Sequence, residues 1–288
     1  MTLVDAHQHF WRLSRGDYAW LTSGLGALYR DFEPADLASL LVQRNIDATV
    51  LVQAAATEAE TRFLFDLADK HAFIKGVVGW TDFAAPAAAR RIAALVEAGR
   101  GKLRGLRPMI QDLADPQWVS RRELDAAFVA MIEHDLAFDA LVRPQHFPAL
   151  LVRLRRHPRL RAVIDHAGKP DIAQGEYEAW ARQLETLAAE SNANCKLSGL
   201  LTEARTGAAM EDLAPYVEHI FHCFGGGRVI WGSDWPVLTL ASGYAAWFDM
   251  ARDLVARCAR GHESAVFGGT ATRIYRLEYQ SFEGERTT

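Results

Sequence analysis

Cysteine is scarce in this sequence: Cys195, Cys223 and Cys258 are the only three among 288 residues, and none forms a CxxC pair. That spacing excludes a disulfide framework and a thiolate zinc site, and leaves the three as small apolar core residues. An excess of one charge is also missing. With 32 Lys and Arg against 36 Asp and Glu the net charge is −4, too mildly acidic to hold a polyanion, so no nucleic-acid partner is expected. No apolar run approaches membrane-spanning length, and the opening Met1-Thr2-Leu3-Val4-Asp5 has no basic segment followed by an apolar stretch; the expectation is a cytoplasmic protein with no membrane partner. No Pro- or Ser-rich linker and no repeat divides the chain. Residues 1–288 are therefore expected to form one domain, a length that α/β barrels commonly reach.

What is present is alternation. β-rich runs occur at Leu3 to Phe10, Ala48 to Ala54, Ile74 to Thr81, Leu103 to Gln111, Ala137 to Arg143, Arg161 to Ala167, Asn194 to Gly199 and Val229 to Trp235. Between them lie stretches with helical periodicity, such as Leu37, Leu40 and Leu41, and Leu124, Phe128, Met131 and Ile132. Strands separated by amphipathic helices must run parallel, and eight of them predict an α/β fold, a single (β/α)8 TIM barrel. Two connections are longer than a barrel needs, Trp11 to Phe32 and Asp112 to Ser120. The first predicts a loop at about 11–33 over the barrel mouth, since both follow strand C-terminal ends, where barrel enzymes carry their chemistry.

On the first strand, Asp5-Ala6-His7-Gln8-His9 places two histidines two residues apart, so both imidazoles point the same way. Such a pair suits a divalent metal or an oxyanion. The sixth run ends at Asp165-His166 and the eighth at Ser233-Asp234-Trp235-Pro236. Alone, His166 reads equally as a core histidine and Asp234 as a turn residue before a proline. Together with His7 and His9 they bring three imidazoles and a carboxylate to one barrel mouth.

Six segments, Asp5-Ala6-His7-Gln8-His9-Phe10-Trp11, Gly105-Leu106-Arg107-Pro108, Leu141-Val142-Arg143-Pro144, Asp165-His166-Ala167-Gly168-Lys169-Pro170, Cys195-Lys196-Leu197-Ser198-Gly199 and Gly232-Ser233-Asp234-Trp235-Pro236, run in order along the chain, with Phe267-Gly268-Gly269-Thr270 near its end. They resemble the amidohydrolase superfamily, within it the L-fuconolactonase-like branch of sugar lactonases. The sequence departs from the binuclear members of that superfamily, offering Arg107 and Gln111 on the fourth strand where they carry a bridging carboxylated lysine, and Asp139 and Arg143 but no histidine on the fifth. A two-metal site is therefore not expected. The resemblance implies either no required cofactor or one divalent metal, zinc by preference, on His7, His9, His166 and Asp234.

The implied reaction is hydrolysis of a sugar-acid lactone to the free aldonate. Asp234 acts as general acid and base, and His166, His7 and His9 polarise the carbonyl. Gln53, Arg107, Arg143, Lys169, Trp11 and Trp235 are expected to bind substrate, and Trp20 and Tyr29 to wall the sugar ring. Lys196 and Asp139 are read either as ligand-facing groups or as a buried pair inside the barrel. Three other functions stay open at this point: a dicarboxylate lactone hydrolase of aromatic catabolism, a zinc-dependent decarboxylase or amidase, and a silent sugar-binding barrel.

Overall fold

The computed structural model describes residues 2–278. Eight strands form one parallel sheet in sequence order: β1 Val4–Gln8, β2 Ala48–Val52, β3 Ile74–Gly79, β4 Leu103–Leu106, β5 Ala137–Ala140, β6 Arg161–Ile164, β7 Asn194–Leu197 and β8 Val229–Trp231. Eight helices fill the crossovers: α1 Pro34–Gln43, α2 Glu58–Lys70, α3 Ala88–Ala98, α4 Asp125–Glu133, α5 Phe147–Arg156, α6 Glu178–Glu190, α7 Met210–Phe224 and α8 Tyr244–Cys258. This is the (β/α)8 barrel that the alternation predicts. Met1 and residues 279–288 of the expected domain lie outside the described residues.

Strands buried on both faces need β-branched and apolar residues throughout, and Thr49, Val50, Leu51 and Val52 of β2 are all fully buried. Inside the barrel Val4, Ala6, Ala48, Val50, Val52, Val78, Ala137, Val163 and Ile230 pack with Ile274 and Tyr275 of a last helix, α9 Thr270–Tyr275. The outward-facing Leu51, Val77, Phe138, Ile164, Leu197 and Trp231 join the core shared with the surrounding helices.

Each predicted strand exists, but each leaves the ladder two to five residues earlier than its apolar run. The departing residues turn inward over the mouth: Ile110–Asp112 forms a short 3-10 turn beyond β4, and Asp165–Gly168 a tight turn with left-handed backbone beyond β6. The register between β1 and β2 slips between Asp5 and Gln8, a bulge that lets His7 follow Ala6 toward the interior. The seam between β1 and β8 closes through a parallel bridge between Gln8 and Trp235, with Asp234 N donating to His7 O and His9 N to Trp235 O, both at 2.8 Å. Closing the barrel thus sets Asp234 directly against the His7-Gln8-His9 backbone.

Candidate active site

The side chains at this seam converge. His7 Nε2 lies 3.2 Å from His9 Nε2, and Asp234 Oδ1 lies 3.6 Å from His7 Nε2, 3.3 Å from His9 Nε2 and 3.9 Å from His166 Nε2. His166 and Asp234 reach these places on strained backbone, for His166, Ala167, Lys169 and Asp234 all have positive φ, between 52° and 59°. Clustered left-handed residues without glycine's freedom are characteristic of functional sites.

Each imidazole is anchored from behind. His9 Nδ1 donates to the Val52 carbonyl at 2.7 Å, which leaves its Nε2 lone pair facing the mouth. His166 Nδ1 meets Ser198 Oγ at 2.9 Å. His7 sits between two cations, with Lys196 Nζ 3.0 Å from Nδ1 and Arg107 Nη1 3.3 Å from Nε2. Burial and then Lys196 therefore press His7 far toward its neutral form. Burial also brings His166 down to about 4 against the upward pull of Asp234. For Asp234 burial acts upward, but His166 and the His9 hydrogen bond prevail and hold it below the ordinary carboxylate range. At neutral pH the site sets an ionised Asp234 against uncharged His7 and His166.

Beneath the mouth lies a buried charge network. Lys196 Nζ is 2.5 Å from Asp139 and 3.0 Å from Asp165, Arg107 Nη1 is 3.5 Å from Asp165, and Tyr275 OH donates to Asp139 at 2.9 Å. Of the two readings of Lys196 and Asp139, the structure bears out the internal pair. Burial would raise Asp165, but Lys196, His7 and Arg107 outweigh it and keep Asp165 ionised. Asp139, where burial dominates over Lys196, is pushed up to about 6.

A cavity of about 260 Å³ opens above the cluster, lined at its base by His9, His166, Asp234 and Arg107 and on its walls by Trp20, Met109, Gln111, Asp112, Leu141 and Lys169. Other expected ligand groups are placed elsewhere. Gln53 is buried and spends its amide on Arg107 O at 2.7 Å. Trp11 is buried with its indole on Arg30 O, and Trp235 packs against Phe10 and Phe32, so both serve the core under the long connection. Arg143 is 45% exposed and stands beside the cavity rather than in its wall. Tyr29, also largely exposed, does not line it. From the first long connection Trp20 does reach the cavity, holding Ala54 O at 2.7 Å.

Glu60 and Glu203 escaped the sequence reading. Glu60, buried on α2, accepts from Ala54 N and Ala55 N and so shapes the turn behind the cavity. Its signal was the Thr57-x-x-Glu60 pattern of a helix start, where Thr57 Oγ1 does accept from Glu60 N. Glu203 lies in the turn after β7, with no local pattern to mark it.

A model of the family described as Amidohydrolase matches residues 4–277. The chain belongs to the amidohydrolase family. This amidohydrolase is 47% identical over 282 residues to an L-fucono-1,5-lactonase of Burkholderia ambifaria, covering 96% of this chain and 97% of that protein. It is 39% identical to an L-fucono-1,5-lactonase of Burkholderia multivorans, over 95% and 96% of the two chains. A zinc-bound crystal structure of a Burkholderia multivorans amidohydrolase superposes with a TM-score of 0.90 at 37% identity, covering 96% of this chain and 100% of that one.

The donor set of this amidohydrolase fits one metal ion. Among the described residues His7, His9 and Asp234 form a triangle with sides of 3.2 to 3.6 Å, the span set by ~2.1 Å bonds to a shared zinc. A second grouping, His7 with Asp165 and His166, shares His7, whose Nδ1 side is occupied by Lys196. No helix among the described residues is long and apolar enough to cross a membrane.

Proposed function

We propose that this amidohydrolase opens a sugar-acid lactone of the L-fucono-1,5-lactone type to the free aldonate. The observation that carries the reading is Asp234 Oδ1 within 3.3 to 3.9 Å of three imidazole nitrogens, with Asp234, His9 and His166 lining one cavity, in a chain similar over nearly its whole length to two L-fucono-1,5-lactonases.

Asp234 takes a proton from water, and the water oxygen attacks the lactone carbonyl. His166 stabilises the oxyanion through Nε2–H, while His9, whose Nδ1 proton is held by Val52 O, presents an Nε2 lone pair that orients the attacking water. When the tetrahedral intermediate collapses, the ring C–O bond breaks and Asp234 returns its proton to the departing ring oxygen, which stays attached as a hydroxyl. A single divalent ion held by His7, His9 and Asp234, with His166 beside them, would supply Lewis-acid polarisation of the carbonyl. Zinc suits that nitrogen and oxygen set. A cytoplasmic setting is part of the reading, supported by three cysteines that are all unpaired.

The test is a pH-stat screen of purified protein against a panel of aldonolactones, alongside dicarboxylate lactones. Proton release with one or a few sugar lactones, far above the spontaneous rate, is expected. A protein that opens no sugar lactone, or that prefers a dicarboxylate lactone, would refute the proposal.

A further inference from the structure

Three cations stand at or beside the cavity, and a ligand bearing two carboxylates would need them free. None of them is. Arg107 is committed to Asp165, to the Gln53 carbonyl and to His7. Lys169 Nζ lies 3.1 Å from Glu203 Oε1, and Arg143 Nη1 lies 3.9 Å from Glu203 Oε2. One carboxylate thus faces both remaining cations with its two oxygens.

Glu203 is held where it can do this. Its backbone N donates to Leu200 O at 3.2 Å and its carbonyl accepts from Ala173 N at 3.0 Å, which ties the turn after β7 to the segment after β6 that carries Lys169. It is mostly buried, with 16% of its side chain exposed. The cavity wall adds the carboxylates of Asp112 and Asp234. Each of the three cations thus has a carboxylate facing it, Asp165 for Arg107 and Glu203 for Lys169 and Arg143.

We propose that Glu203 is a specificity-determining residue: by neutralising Lys169 and Arg143 it makes the mouth accept an uncharged lactone and reject carboxylates, including the aldonate that ring opening produces. Like-charge juxtaposition is an effective way to refuse a wrong ligand. It acts here on both sides of the reaction, because hydrolysis converts a neutral ring into an anion beside the ionised Asp234. Product leaves a mouth that has no unpaired cation to retain it.

The proposal takes its substrate from the lactonase reading, but its measurement needs no turnover. Citrate serves as the carboxylate probe, titrated calorimetrically into wild type and Glu203→Gln at low salt. Freeing two cations is expected to tighten citrate binding by about twofold to fivefold, the effect seen for partly exposed charge pairs, and 0.5 M salt should abolish the gain. Glu203→Gln should also show stronger inhibition by the aldonate product. Unchanged citrate affinity in a variant that melts like wild type would overturn the proposal, even if lactones are opened. A gain in citrate affinity without lactone turnover would sustain it and overturn the proposed function instead. If Glu203→Gln melts early, Lys169→Ala in the otherwise native chain reads the same balance. A Lys169 already paired contributes little to citrate affinity, whereas a tenfold loss would mean it is free and would refute the idea.

Discussion

Gln53 and Arg107 each donate to the other's main-chain carbonyl across β3, the Gln53 amide to Arg107 O at 2.7 Å and the Arg107 guanidinium to Gln53 O. This reciprocal tie holds the ends of β2 and β4 at a fixed separation and leaves Arg107 one face for Asp165 and His7. Arg107 is therefore both a wall of the cavity and part of the frame.

Arg107→Ala would leave Asp165 buried with one cation fewer. It is expected to cost about 3–5 kcal/mol of stability, the usual result of breaking a buried pair, and to raise KM in whatever folds. Arg143→Ala should leave the melting temperature unchanged and KM within about threefold, as befits a half-exposed side chain. Thermal melts with steady-state kinetics separate the two; equal effects at both positions would contradict the placement of Arg143.

Asp234→Asn keeps the shape of the site and removes the basic oxygen. kcat should fall by about 10² to 10⁴ in a folded protein. Asp234 is depressed and His166 lies at about 4, so wild-type kcat/KM should be flat through neutrality and fall only near pH 4, where a protonated His166 weakens Asp234 as a base. That limb should vanish in the variant, which has no carboxylate to weaken. A residual rate within about threefold of wild type would lie outside the range for a lost general base and would make Asp234 a structural turn residue.

Gly199 has φ +66°, and a Cβ there would lie 2.5 Å from His166 Nδ1. Gly199→Ala should cost about 1–2 kcal/mol for the left-handed backbone and push the imidazole off Ser198. A loss in kcat on the order of 10²-fold is expected, the scale of a misplacement of about 1 Å. Full activity would show that His166 is not needed where it stands.

Burial pushes Glu60 up to about 7, although Ala54 N and Ala55 N pull against it. A raised carboxyl contributes stability that is complete below about pH 4 and is lost as pH rises through 7. Glu60→Gln stays neutral throughout, so its melting temperature should fall furthest below wild type near pH 5 and least near pH 8. The swing is up to about 3 kcal/mol. The same difference at both pH values would show that Glu60 does not titrate in this range.

Local chemistry was enough to make the barrel and part of its site readable. Eight apolar runs separated by helical periodicity admit few folds, and His7, His9, His166 and Asp234 each stand where an apolar run reaches its polar end. The i, i+2 spacing makes His7 and His9 neighbours whichever way the strand lies, and their Nε2 atoms are 3.2 Å apart. What the sequence could not contain is the use to which each polar side chain is put. Gln53 and Trp11 stand at strand ends like true ligand groups, yet one ties two strands together and the other supports a loop. Glu203 carries no motif, and it meets Lys169 and Arg143 only because the turns after β5, β6 and β7 gather at one end of the barrel. Strand periodicity acts over a few residues and is written in the chain. Charge neutralisation acts through space at about 3 to 4 Å between residues 34 and 60 positions apart, and only closure of the barrel decides it.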